Sequence, residues 1–393
     1  MIDFDPFSEA YFDDPFPIYQ RLRDEAPALY LENYDCFFLS RFEDVWNAVS
    51  DPRFSHRLGT TSQDLLVGVR PHRALSSLVP PEHTALRSLL APAFTPRAAR
   101  VLEPHARAFA RSLLEAADPE RDLDVVRDLA RRLSAHVAFL LIGLPLEDAD
   151  AQAAQVEVAF ERAQGVAGPT ASAFAAQERL RGYLASQIEA RRRRPGARDL
   201  LDALLGFEWE GRRLPSEELV ANLYLLVIGG TETLPKVFAG AVHQLWRHPG
   251  QRAELARRPE LADAAFWEAL RTEMPTLMLG ACAEAPVEIC GGTKLRPGQK
   301  LMHLWVSANH DEREFPDPRR FDLHRRAPRI LSFNHARHRC LGAHVARMEG
   351  RVLLQELLAR APRYEVLEER AERIRSEFFR GFAALPVRLG PRP

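Results

Sequence analysis

Phe333-Asn334-His335-Ala336-Arg337-His338-Arg339-Cys340-Leu341-Gly342, followed by an apolar helical pattern over 345–358, is the stretch on which the reading of this 393-residue chain turns. A lone cysteine is most often a buried structural thiol. Here Arg337, His338 and Arg339 surround Cys340 with positive charge, and a helix starting just past it points its amide dipoles at the sulfur. Both favour thiolate over thiol. Gly342 allows close backbone approach, which a flat cofactor stacked on a loop requires.

Working outward, the other cysteines are Cys36, Cys282 and Cys290, and no CxxC pair occurs. That is neither a disulfide framework nor a zinc-ribbon spacing, and it fits a reducing compartment. Apolar residues make up 46% and charged residues 27% with a net charge of −1, an ordinary globular balance that gives no reason to propose nucleic acid as a partner. The first 19 residues are acidic and proline-punctuated, without the basic start and apolar run of a signal peptide. No run reaches the ~20 uninterrupted apolar residues of a membrane helix. The expectation is a cytoplasmic protein with no membrane attachment.

Apolar residues recur at three- and four-residue spacing over 86–94, 98–116, 123–142, 151–163, 171–194 and 216–246, which predicts helices there. Short β-like runs fall at 29–39, 287–295, 300–305 and the C-terminal end, with Gly291-Gly292 and Pro297-Gly298 as turns. The fold class is mainly α with a small β region. With no internal repeat and no long linker, the chain reads as a single domain over 1–393.

Three further segments stand out. Val227-Ile228-Gly229-Gly230-Thr231-Glu232-Thr233-Leu234-Pro235 puts two glycines, an acid, two hydroxyls and a proline inside a helix, a costly arrangement that points to a functional notch. A kink serving packing alone is the plainer reading. Glu268 and Arg271 form an i,i+3 pair, and Phe315-Pro316-Asp317-Pro318-Arg319-Arg320-Phe321 follows some fifty residues later. His83 and Arg87 share a helix face at i,i+4, a spacing that by itself suits a solvated surface.

In this order, the segments resemble the cytochrome P450 family of the soluble bacterial type, over about residue 5 to the C-terminus. The family's cysteine loop, F-G-x-G-x-[HR]-x-C-x-G, matches at Phe333, His338, Cys340 and Gly342, with Asn334 and Ala336 in place of two glycines. Its [AG]-G-x-[DE]-T-[TS] helix motif matches at Gly229, Gly230, Glu232 and Thr233, with Leu234 in place of the second hydroxyl. The resemblance implies the cytochrome P450 fold and heme b (iron protoporphyrin IX), with Cys340 as iron ligand, whose electron push favours O–O cleavage. It implies that Thr233 hydrogen-bonds dioxygen, that Glu232 helps deliver protons, and that Gly229 and Gly342 lie against the heme. His83, Arg87 and His338 would grip the heme propionates, while the arginine that relatives carry near 280–283 is missing. Glu268, Arg271 and Arg320 would form a buried ion network supporting the cysteine loop. The substrate pocket would include Leu225, Ile228, Thr276, Leu277, Phe378 and Phe379. The implied activity is insertion of one oxygen atom of O2 into an organic small molecule by a monomeric enzyme. Electrons would come from a ferredoxin or flavodoxin with its NAD(P)H-dependent reductase.

Two rival readings follow from the same residues. His335, His338, Cys340 and His344 fall within ten residues and suggest a structural zinc site in a helical protein, although two separated ligand pairs are lacking. A heme-binding relative without monooxygenase activity would keep Cys340 but have no use for Glu232 and Thr233.

Overall fold

The computed structural model describes residues 2–118, 121–163 and 168–391, and these form a mainly helical body with a small β region. The helix Pro96–Ala116 shows why such segments pack. Thr95 caps it by accepting the Ala98 amide at 3.2 Å, and Pro96 opens its first turn. Its buried Ala99, Ala106, Ala110, Leu113 and Leu114 make one stripe, which lies on the helix Ala343–Arg360. That last helix is buried on most of its circumference and is the centre of the packing, also meeting Ala262–Thr272 and Thr233–Arg247. The core cluster runs from Ile2 to Leu389.

The main sheet has five strands in the order Ala28–Leu31, Cys36–Leu39, Lys300–Leu304, Met278–Ala283 and Phe54–Ser55. The pair Lys300–Leu304 and Cys36–Leu39 is parallel and the others are antiparallel. In the central pair, His303 stands opposite Leu279 and Leu301 opposite Ala281.

Two expected helices come out differently. Over 123–142, Leu123–Asp124 is a strand, Val125–Ala130 a wide helical turn, and only Arg131–Ile142 is α-helix. The Asp124 carboxylate accepts the Val126 amide at 2.9 Å, ending the strand and starting the turn. The helix expected over 216–246 is broken at Glu232 into Ser216–Thr231 and Thr233–Arg247. Pro235 has no amide proton for the Thr231 carbonyl; Ser134 of the neighbouring helix donates to that carbonyl at 3.3 Å instead. The 216–247 segment is long and apolar enough to cross a membrane by composition, but 67% of its most apolar window is buried within the fold.

The ion network around Glu268 has a different third member from the expected Arg320. Arg271 makes two bonds to the Glu268 carboxylate, Nε to Oε2 at 2.9 Å and Nη2 to Oε1 at 2.7 Å, with both side chains buried. The third member is Arg325, whose Nε donates to Glu268 Oε1 at 2.9 Å. Arg320 is exposed and supplies only its backbone carbonyl, which Arg271 and Arg325 reach at 3.3 and 3.1 Å. Arg325 also donates to the carbonyls of Pro316 and Asp317, so its fork fits a turn of backbone that no sequence spacing specifies. Arg271 reaches the Asn309 carbonyl at 3.0 Å, and the Asn309 side chain holds Ser332 and the Leu331 amide. The network thereby ends at the residues that enter the cysteine loop.

Candidate active site around Cys340

The loop is closed by the Cys340 amide donating to the Phe333 carbonyl at 2.7 Å. Between them Asn334 and Ala336 both adopt φ of 55°, the left-handed region that a glycine occupies freely. Asn tolerates it; Ala pays a steric cost of about 1–2 kcal/mol. Ala336→Gly is therefore expected to raise stability by about 1 kcal/mol, seen as a higher unfolding midpoint with an unchanged denaturant slope. A lower midpoint would show that the loop does not need a left-handed residue there.

Cys340 is exposed. Protein crowding around its sulfur pushes the thiol pKa up, against the Gly342 amide and the Arg87 and Arg339 guanidiniums, which pull it down. The net direction is upward, so the surrounding positive charge does not by itself make the thiolate. A metal bound to the sulfur would remove the proton, because a coordinating thiol is deprotonated outright.

Beside the loop lies a cluster of basic groups. The His338 ring stands 3.9 Å from that of His56 and 4.3 Å from that of His83. Burial lowers the His338 pKa to about 2 and those of His56 and His83 to about 4, with Arg337 repelling a proton from each. Arg87 donates to the Arg339 carbonyl at 2.6 Å. Among the described residues neither Arg87 nor Arg337 pairs with a carboxylate, and the buried His83 Nε2 has no partner.

On the broken helix the two threonines play different parts. Thr231 Oγ1 donates to the Val227 carbonyl at 2.8 Å, the ordinary use of a helical hydroxyl. The Thr233 hydroxyl makes no hydrogen bond with the described residues. Glu232 is buried and ion-paired with Lys236, whose Nζ also donates to the Glu232 carbonyl at 2.8 Å. A Cβ on Gly230 would stand 2.8 Å from the Ala138 Cβ, so that glycine sets the approach of two helices, while one on Gly229 meets nothing within 4 Å.

Thr276 and Phe379 are joined by a backbone bridge, and the Leu277 amide donates to the Phe378 carbonyl at 2.9 Å. Phe160 stacks on Phe378 with ring centroids 5.9 Å apart. Thr276, Phe378, Leu225 and Ile228 are half-buried, whereas Leu277 and Phe379 are buried. Sequence reading did not point to Arg325, His56 or Lys236. Only Lys236 left a signal, its i,i+4 spacing from Glu232.

The residues present fit a heme. Cys340 is exposed, Gly229 and Gly342 both leave open space where a Cβ would stand, and unpaired basic groups gather on one side, as an anionic edge requires. They do not fit zinc. Among the described residues no three His, Cys, Asp or Glu side chains converge on a metal position. His335 is spent on the Trp46 carbonyl at 2.8 Å and on Ser50.

The family model for cytochrome P450 matches residues 16–387. Putative cytochrome P450 123 of Mycobacterium tuberculosis is 36% identical over 99% of this chain and 97% of its own length. The vitamin D(3) 25-hydroxylase of Pseudonocardia autotrophica is 34% identical, again over 99% and 97%. The solved structure of epothilone D-bound cytochrome P450epoK superimposes with a TM-score of 0.87 at 29% identity and covers 100% of both chains. With the cysteine loop, the broken helix and these likenesses together, the chain belongs to the cytochrome P450 family of monooxygenase enzymes.

Proposed function

We propose that residues 1–393 work as a single-domain, monomeric heme-thiolate monooxygenase of the cytoplasm, acting on an organic small molecule. The observation that carries this reading is the exposed Cys340 on a loop tied to Phe333, beside basic groups that lack any carboxylate partner among the described residues. The names of the relatives, a hydroxylase and a structure bound to epothilone D, support an organic substrate.

When bound, heme b supplies the iron at which dioxygen is activated, so that one oxygen atom enters the substrate and the other leaves as water. Cys340 would hold the iron through its sulfur. His83, Arg87 and His338 would hold the acidic edge of the group, and Gly229 leaves open space where a Cβ would stand. Thr233 keeps a hydroxyl free to donate. Glu232, the buried acid that precedes Thr233 in the chain, has its carboxylate fixed by Lys236. Leu225, Ile228, Thr276, Leu277, Phe378 and Phe379 shape the substrate pocket. Electrons come from a ferredoxin or flavodoxin with its NAD(P)H-dependent reductase.

Purified protein is expected to carry iron as heme b; zinc without iron would overturn the reading. Thr233→Ala should keep heme and substrate binding yet form about tenfold or more less product per NAD(P)H consumed, with hydrogen peroxide rising in step. If Thr233 served packing alone, coupling would stay at the wild-type value and only the unfolding midpoint would move.

A further inference from the structure

Next to the basic cluster, a small cavity is lined by His56, Ala281, His303, Trp305, Arg337 and His338 among others. Two of these carry buried ring nitrogens with no partner among the described residues, His303 Nε2 and Trp305 Nε1. Both side chains are at least 97% enclosed, with 3% and 2% exposure, and their ring centroids lie 5.3 Å apart. An indole N–H can only donate, so what is missing at Trp305 is an acceptor. His303 already bonds the Leu279 backbone, which leaves Nε2 facing the cavity. Leaving such groups unpaired costs free energy, and a folded chain ordinarily satisfies them.

The surroundings say what kind of acceptor fits. Arg337 brings the fixed positive charge to the cavity, His56 and His338 add neutral rings that a counter-charge would help to protonate, and among the described residues no carboxylate lines it. An anion is called for. Register adds the second argument. His303 stands opposite Leu279 and Leu301 opposite Ala281, so His303 and Ala281 share one face of the sheet. That face is where the arginine expected near 280–283 is absent and only the small Ala281 remains.

We propose that His303 and Trp305 bind one propionate carboxylate of heme, taking over the part of the absent arginine. This rests on the heme reading above. Burial and the neighbouring His56 hold the His303 pKa down to about 3 while its pocket lacks a counter-charge; a carboxylate placed beside Nε2 would supply that charge, raise the pKa and let the ring donate. A charge-assisted bond and an indole N–H together replace the fork of a guanidinium.

The test is the rate of heme transfer from holoenzyme to excess apomyoglobin, for wild type, Trp305→Phe and His303→Leu. Each protein is loaded either with heme b or with heme dimethyl ester, whose carboxylates are blocked. Trp305→Phe keeps the aromatic packing and deletes only the N–H, so it guards against misfolding of the His303 variant. Both variants are expected to lose heme b about tenfold faster than wild type and to lose the ester at the wild-type rate. Equal rates for wild type and variants with heme b overturn the proposal. So does an equal acceleration with both hemes, which would mean packing alone. A wild-type protein that takes up no heme would overturn the heme reading itself.

Discussion

Cys340→Ser is expected to abolish the thiolate-type Soret maximum of the reduced CO complex and all monooxygenase activity, while far-ultraviolet circular dichroism stays that of the wild type. Serine matches cysteine in size, and Cys340 is exposed, so the change leaves no cavity in the core. The loop is held by the Cys340 amide and the Phe333 carbonyl, which serine keeps. What is lost is the soft sulfur ligand, since a hydroxyl at this position stays protonated and binds iron poorly. The other cysteines do not compensate. Cys36 and Cys282 are buried in the five-stranded sheet, and burial pushes the Cys36 thiol up to about 12. Retention of the thiolate spectrum in Cys340→Ser would remove the central assignment.

Arg325→Ala is expected to destabilise the protein by about 3 kcal/mol or more, measured by chemical unfolding of the holoenzyme. The Glu268 carboxylate is buried and accepts from Arg271, Arg325 and the Asp322 amide. Removing Arg325 leaves that charge short of a partner and also frees the carbonyls of Pro316, Asp317 and Arg320. Arg320→Ala should change stability by no more than about 0.5 kcal/mol, because its side chain is exposed and its carbonyl survives the substitution. Heme loss should accelerate only in the Arg325 variant, since the network reaches the cysteine loop through Asn309 and Ser332. A larger loss in Arg320→Ala than in Arg325→Ala would put Arg320, not Arg325, in the network with Glu268.

The two arginines show where local reading stops. Charge type and rough position near residue 320 are visible in the chain, and so is the i,i+3 pair of Glu268 and Arg271. Which guanidinium meets Glu268 depends on how the backbone turns over 316–325, and a turn of that kind is set by the carbonyls it presents. The same holds for Asn334 and Ala336. Their identities suggest a loop that differs from its glycine-bearing relatives, yet both take the left-handed conformation because closure onto Phe333 imposes it.

By itself the sequence determined the helical class, the weak point that Pro235 makes in the long helix and the family, and it pointed to Cys340 as the thiol of the proposed site. Those are local properties of periodicity, a proline without an amide proton, and a short motif around one thiol. Tertiary structure alone decided the rest. It chose Arg325 over Arg320, paired Lys236 with Glu232, left the Thr233 hydroxyl without a partner among the described residues while Thr231 was bound, and set His303 and Trp305 against a cavity that no described carboxylate lines. Each of these depends on which groups remain unsatisfied once distant segments have packed, and desolvation makes that outcome a property of the whole fold.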